Sequence, residues 1–228
     1  EMQRSLVGSE MCIRDRANEA KTTNNYLQAS ADKQDNLNSA VQNAQAVLAA
    51  TGANDSANQV KALTKSVNDA VDALDGDAIN AINAALTDKK AEINGTNLTA
   101  EEKTAVINKA QKLADDAIAN INKATTNDAV KTAKENGVEA INAVEIPTSS
   151  KTKNDANSDL DNTAAAAKKA IDETSGLTDD QKQTAKDQID KAVDDAKENI
   201  KNASDNKGVA DATDAGKLAI DKVSAKAA

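Results

Sequence analysis

Two stretches of the chain, LTAEEKTAVINKAQKLADDAIANINKATTNDAVKTAKENGVEAINAV (98–144) and LTDDQKQTAKDQIDKAVDDAKENIKNASDNKGVADATDAGKLAIDKV (177–223), coincide when the sequence is shifted by 79 residues. Leu98/Leu177, Lys103/Lys182, Asp115/Asp194, Asp116/Asp195, Ala117/Ala196, Ile121/Ile200, Val130/Val209, Gly137/Gly216, Ile141/Ile220 and Val144/Val223 match. In the first stretch Val106, Ala110, Leu113, Ala117, Ile121 and Ala124 recur at spacings of four or three, which places them on one face of a helix. Lys-Lys-Ala at 89–91 meets Lys-Lys-Ala at 168–170 under the same shift, so each copy takes in one helix more. The unit is about 79 residues with three helices, read as 77–93, 99–124 and 127–144, then 150–174, 178–203 and 206–226. A helix of 26 residues is about 39 Å long. Three of them folded antiparallel leave the third leading onward to the next unit. The expected fold is all-α: tandem three-helix bundles joined end to end into an elongated rod, sustained by nearest-neighbour contacts.

The ends of these helices are written in the sequence. Thr99-Ala-Glu-Glu102 and Thr178-Asp-Asp-Gln181 are capping boxes, in which a Thr hydroxyl accepts from the N3 amide and a Glu or Gln reaches back to the cap's own N–H. Leu98 and Leu177 stand at N′, where a hydrophobic staple would place an apolar residue. Pro147, the one proline, closes the helix that ends near Val144. Gly137 and Gly216 fall on the apolar stripe of each third helix. Glycine there costs about 1 kcal/mol against alanine, so it serves either a close approach of two backbones or a hinge or ligand contact.

Ahead of the repeats, Leu37, Val41, Ala44 and Leu48 mark one helical face, and Val60, Leu63, Val67, Val71 and Leu74 a second. Ile79, Ile82, Leu86 and Ile93 mark the first helix of the first repeat. Residues 17–76 therefore read as a separate, two-helix piece. Residues 1–16 differ from all the rest: they hold both methionines, the lone cysteine (Cys12) and every arginine (Arg4, Arg14, Arg16), and the other 25 basic residues are lysines. SLVGSEMCIRDR also resembles translated sequencing-adapter read-through, so residues 1–16 are read as a non-native tip. The domains are then 1–16 (tip), 17–76, 77–147 (repeat 1) and 148–228 (repeat 2).

Composition narrows the function classes. The chain of 228 residues has one Tyr (Tyr26) and no Phe, Trp or His, so its cores rest on Ala, Val, Leu and Ile. Net charge is −9 with lysines scattered among carboxylates, which excludes a nucleic-acid backbone as partner. No run approaches the ~18 apolar residues of a membrane span. Without histidine there is no Ser-His or Cys-His arrangement, and no P-loop, G-x-S-x-G or G-x-G-x-x-G occurs. Asp155-Ala-Asn157-Ser-Asp159 begins like a calcium loop, but Leu160 replaces the turn glycine and Ala166 stands where the bidentate Glu belongs. The Asp115-Asp116 and Asp194-Asp195 pairs are adjacent on a helix and do not face each other. Asn94 and Asn97 lie in Asn-x-Thr sequons, which carry no weight if the source is bacterial. No enzyme is expected, and no catalytic, cofactor-binding or metal residue is assigned.

The sequence L-T-x-E-E-K, A-x-x-x-I-x-x-A-T-x-N-x-x-V and G-x-x-x-I, present here as Leu98–Lys103, Ala117–Val130 and Gly137–Ile141, resembles a domain of unknown function found in long tandem arrays. Those arrays belong to giant cell-wall-anchored surface proteins of Gram-positive bacteria, among them extracellular-matrix-binding proteins. The second copy is looser, with Asp180-Gln181 for Glu-Glu and Ala203-Ser204 for Ala-Thr. Residues 37–74 resemble the last two helices of a FIVAR module, a companion domain related to albumin-binding three-helix modules, without that module's usual aromatic and with at most part of its first helix. The resemblance implies an extracellular fragment of a cell-surface adhesin, lacking the signal peptide and wall-sorting motif of such proteins. Three functions follow: a monomeric spacer rod, a module whose exposed helix faces bind a host serum or matrix protein such as albumin or fibronectin, or a disordered polar chain, for which the mean hydropathy of −0.62 speaks and the sustained stripes do not.

Overall fold

The computed structural model describes residues 13–51 and 57–227, with the side chains of all of these except 48–51 and 57. Cys12, Gly52 and the Leu48 side chain lie outside the described residues. The helices are α1 (13–21), α2 (Asn24–Leu27), α3 (Ala31–Thr51), α4 (Ala57–Asp72), α5 (Gly76–Asn94), α6 (Ala100–Lys123), α7 (Asn127–Asn142), α8 (Lys151–Glu173), α9 (Asp179–Asn202) and α10 (Asn206–Ala227). No strand occurs among the described residues, and the fold class is all-α. Sustained stripes and caps have given helices in register, not a disordered chain. Two compact units can be separated: the described residues up to Lys90 with Lys109–Val144, and Ala91–Asn108 with Glu145–Ala228.

In the first unit, Leu37, Val41, Ala44, Val67 and Leu74 form a core together with Ile13, Ala17 and Ala20 from α1. The two-helix reading of residues 17–76 is thus corrected by two further helices, α1 and α2. Helix α1 starts before residue 17, and Ile13 is buried at its head. Its buried face is Ile13, Ala17 and Ala20, a stripe so short and so rich in alanine that periodicity does not separate it from its surroundings. Thr23 caps α2, accepting from the Tyr26 amide. Tyr26 itself is half-buried, and its hydroxyl donates to Asn38 Oδ1 at 3.2 Å. The buried Asp75 carboxylate accepts from both the amide and the hydroxyl of Ser30, each at 2.9 Å. These bonds tie the start of α3 to the start of α5.

The apolar stripes point inward as the periodicity requires. Ile82, Leu86 and Ile93 of α5, Val106, Ala110, Ala117 and Ile121 of α6, and Val130, Gly137 and Ile141 of α7 are buried. Ala114 is fully buried where the four-or-three spacing favours Leu113, which is only half-buried, and Ala78 is buried beside a half-buried Ile79. A small side chain fits the seam; the larger neighbour covers its edge. Helices α8, α9 and α10 pack pairwise around Leu160, Ile171, Ile189, Val193, Ile200, Val209 and Ile220.

Comparing the copies corrects one register. In the second and third helices the buried positions differ by 79, as in Ile121/Ile200 and Ile141/Ile220. In the first helix they differ by 78: Ile82/Leu160, Leu86/Ala164 and Ile93/Ile171. The Lys-Lys-Ala match is therefore one residue out of structural register. Repeat 2 has one residue more between Ile171 and Leu177 than repeat 1 has between Ile93 and Leu98, and that stretch contains Gly176 at φ +90, a conformation side chains other than glycine's rarely adopt.

Candidate functional site

The two third-helix glycines settle their own question. A Cβ on Gly137 would stand 2.4 Å from Ala117 Cβ and 2.7 Å from Ile82 Cδ1, and one on Gly216 would stand 2.5 Å from Ala196 Cβ and 2.9 Å from Leu160 Cδ2. The glycine side of one helix lies directly on the alanine of another, in both copies. Close approach of backbones is the role, and it is structural.

Most of the other candidate carboxylates are engaged by neighbouring side chains. Asp155, Asn157 and Asp159 lie inside α8, so their backbone cannot wrap an ion as a calcium loop does. Asp155 pairs with Lys151 at 2.5 Å, and Asp159 pairs with Lys217 of α10. Asp115 accepts from Gln111 and Asp116 from Lys112, each at 2.9 Å, and Asp195 pairs with Lys191 at 2.7 Å. All these carboxylates face solvent. Between α6 and α7, a groove of about 590 Å³ is lined by Leu113, Ala117, Asp128, Ala129, Ala133 and Gly137. It presents small apolar side chains under an acidic rim and holds no nucleophile with an adjacent base. Among the described residues no cluster of His, Cys, Asp or Glu is arranged to hold a metal ion, and no helix is long and apolar enough to cross a membrane.

The densest polar geometry is at the start of α6. The capping box forms as its sequence predicts: the Thr99 amide donates to Glu102 Oε2 at 3.0 Å, and the Glu102 amide donates to Thr99 Oγ1 at 3.4 Å. Glu102 does more than the box requires. Its Oε1 accepts the Thr152 amide at 3.0 Å, in the first turn of α8. Glu101 Oε2 accepts the Asn206 amide at 2.9 Å, at the first residue of α10, and the Ala100 amide donates to the Ser204 carbonyl at 2.9 Å. Ser150 and Thr99 are both buried here, and Ser150 caps α8 by accepting from the Lys153 amide at 3.1 Å. Desolvation pushes the Glu102 carboxyl up. It is outweighed by hydrogen bonds from the Thr152 amide, the Ser150 hydroxyl, the Thr99 amide and the Thr152 hydroxyl, which hold it down from 4.5 to about 2. Sequence reasoning finds the box but not these partners, which lie 50 and 105 residues away.

The second box is plainer. The Thr178 amide donates to Gln181 Oε1 at 2.9 Å and the Gln181 amide to Thr178 Oγ1 at 3.3 Å. At N4, where a hydrophobic staple would put an apolar partner for the N′ leucine, each copy has a lysine. It reaches back to the preceding helix: Lys103 Nζ to Asn94 O at 3.0 Å, Lys182 Nζ to Asp172 O at 2.7 Å. A cation at a helix C-terminus is favourably placed for the helix dipole.

Such an arrangement, helices in threes with recurring caps and recurring glycine contacts, defines a helical tandem-repeat protein. Residues 76–149 and 152–228 both match the model of the Domain of Unknown Function (DUF1542), and the chain belongs to that family. Residues 15–75 match the FIVAR domain, whose span includes most of α1. The Extracellular matrix-binding protein EbhA of Staphylococcus aureus (strain Mu3 / ATCC 700698) is 36% identical over 196 residues, which is 81% of this chain and 3% of that protein. The Extracellular matrix-binding protein ebh of Staphylococcus aureus (strain JH9) is likewise 36% identical over 81% of this chain and 2% of its own length. The chain thus spans only a few per cent of the curated relatives it matches. A crystal structure of EbhA (756-1003 domain) from Staphylococcus aureus aligns over 95% of this chain and 77% of that chain, at 23% identity and a TM-score of 0.33.

Proposed function

We propose that this chain is a length of stalk from a bacterial cell-surface protein, a spacer that holds a binding region away from the cell wall and performs no catalysis. The observation that carries the reading is what the two repeats keep alike. They share the glycine–alanine contacts, the threonine boxes and the lysine on the preceding helix's carbonyl. They differ where side chains point outward: Ile118 stands where Lys197 is, Val138 where Lys217 is and Ala81 where Asp159 is. A face used for binding by every repeat would keep its outward residues. Aromatic and arginine anchors favour interface hot spots, and here Tyr26 is engaged with Asn38.

A second reading, that exposed helix faces bind a host matrix or serum protein, is favoured by the names of the Staphylococcus aureus relatives. Two measurements on the whole chain decide. The spacer reading expects small-angle scattering to give a radius of gyration well above the ~17 Å of a compact chain of this length. It also expects no saturable binding to immobilised fibronectin, fibrinogen or albumin at micromolar concentration. Saturable binding would replace the spacer with the binder, and a compact radius would remove the stalk.

A further inference from the structure

The Thr99–Glu102 turn ends more helices than its own. The Glu102 oxygens are divided, Oε2 to the Thr99 amide of α6 and Oε1 to the Thr152 amide of α8. Beside it, Glu101 receives the Asn206 amide of α10. Two adjacent carboxylates therefore satisfy free N–H groups at three helix starts, each of which otherwise lacks an intrahelical acceptor, and each start carries the partial positive charge of a helix dipole.

Repeat 2 supplies the control. There Gln181 closes the same box with its one carbonyl oxygen, so a box of this kind does not need a carboxylate. A glutamine at 102 would commit its only acceptor to Thr99 and turn an N–H₂ group toward α8. What glutamate adds is a second, charged acceptor, and Thr152 takes it. We propose that Glu102 is the residue that docks α8, and through it the second repeat, onto the first: an interaction surface on the second helix of one repeat whose partner is the N-terminus of the first helix of the next, opened by a buried serine cap. Ser150 fits that partner, since its hydroxyl is buried, caps Lys153 and also bonds Glu102. Either reading of the stalk leaves this docking unchanged.

Amide hydrogen exchange on the whole chain tests it, comparing Glu102→Gln with the parent. Gln181 shows that glutamine preserves the box, so the Thr99 amide and the amides of α6 keep their protection. The Thr152 amide is expected to exchange on the order of tenfold faster, a charge-assisted bond having been lost. Glu101→Ala, which removes the acceptor, should act on the Asn206 amide instead and leave Thr152 protected. A double-mutant cycle of Glu102→Gln with Ser150→Ala, read by global unfolding, should be non-additive. Unchanged exchange at Thr152 in Glu102→Gln would overturn the proposal. So would equal loss of protection at Thr99 and Thr152, because Glu102 would then only cap its own helix, and so would additivity in the cycle.

Discussion

At Gly137 and Gly216 a single hydrogen atom in place of a methyl decides how near two helices come. Alanine is the better helix former by about 1 kcal/mol, yet its Cβ at either position would fall inside the neighbouring alanine's methyl group. Overpacking of a seam costs typically 1–3 kcal/mol, and a contact this short belongs at the upper end. Gly216→Ala is therefore expected to destabilise by about 1–2 kcal/mol net, measured by urea unfolding. Adding Ala196→Gly to it should recover part of the loss, since the two methyls compete for one place. Glu102 gives a second expectation at this scale. Its carboxyl titrates near 2 in the folded chain against 4.5 ordinarily, so the folded state holds the charge more strongly than the unfolded one. The stabilisation is complete above about pH 4.5 and disappears as pH falls toward 2. Lys151 faces the carboxylate from α8 and is itself paired with Asp155, while Glu101 beside it is engaged with Asn206. The stability difference between the parent and Glu102→Gln should shrink across that interval, followed by unfolding at successive pH values. The glycine contacts were half-legible in the sequence, which showed them on the stripe but not against which residue. The Glu102 contacts were not legible, because hydrogen bonds between residues 50 apart leave no local pattern.

Helices of the two repeats share an inner face and differ in how their edges are joined. In repeat 2, Lys168–Asp190, Lys186–Asp172, Lys197–Asp161 and Lys217–Asp159 cross between α8, α9 and α10. The corresponding places in repeat 1 hold Lys90 with Gln111, and uncharged residues such as Asn83 with Ile118 and Ala81 with Val138. Exposed pairs contribute about 0–1 kcal/mol each and are screened by salt. Raising sodium chloride from about 0.05 M to about 1 M should weaken α8–α10 by roughly 1–2 kcal/mol, and repeat 1 by less. Exchange at the Ile200 and Ile121 amides would read the two bundles separately. Helix ends were well marked in advance from α5 onward, because threonine boxes, Pro147 and the turn glycines each act locally. The register of α8 was not, since Lys-Lys-Ala is a surface motif and surface residues do not fix which side chains face inward. Leu160, Ala164 and Ile171 do fix it, and the extra residue between Ile171 and Leu177 absorbs the slip. Helix α1 is not legible in the sequence for a related reason: its two alanines bury little area, and area is what makes a stripe stand out.

Over the whole chain, stability rests on small aliphatic side chains, with Tyr26 as the lone aromatic. Ile121 and Ile200 are fully buried at matching positions. Aspartate at either would place a charge in an apolar seam, at an expected cost of at least about 4 kcal/mol, of the order of a small bundle's entire stability. Ile200→Asp should therefore abolish the helical signal of α8–α10 in circular dichroism while leaving that of α3 and α4. Melting of the parent should be stepwise, with the repeats supporting each other through shared contacts.

The glycine–alanine pair has a consequence for how such proteins are assembled over generations. Because Gly137 with Ala117 and Gly216 with Ala196 fix the same separation between helices, two copies whose outer residues have diverged keep a common girth. Recombination between unequal copies that retain the pair can then add or remove a repeat without changing the packing inside any one bundle, and the surface is left to drift.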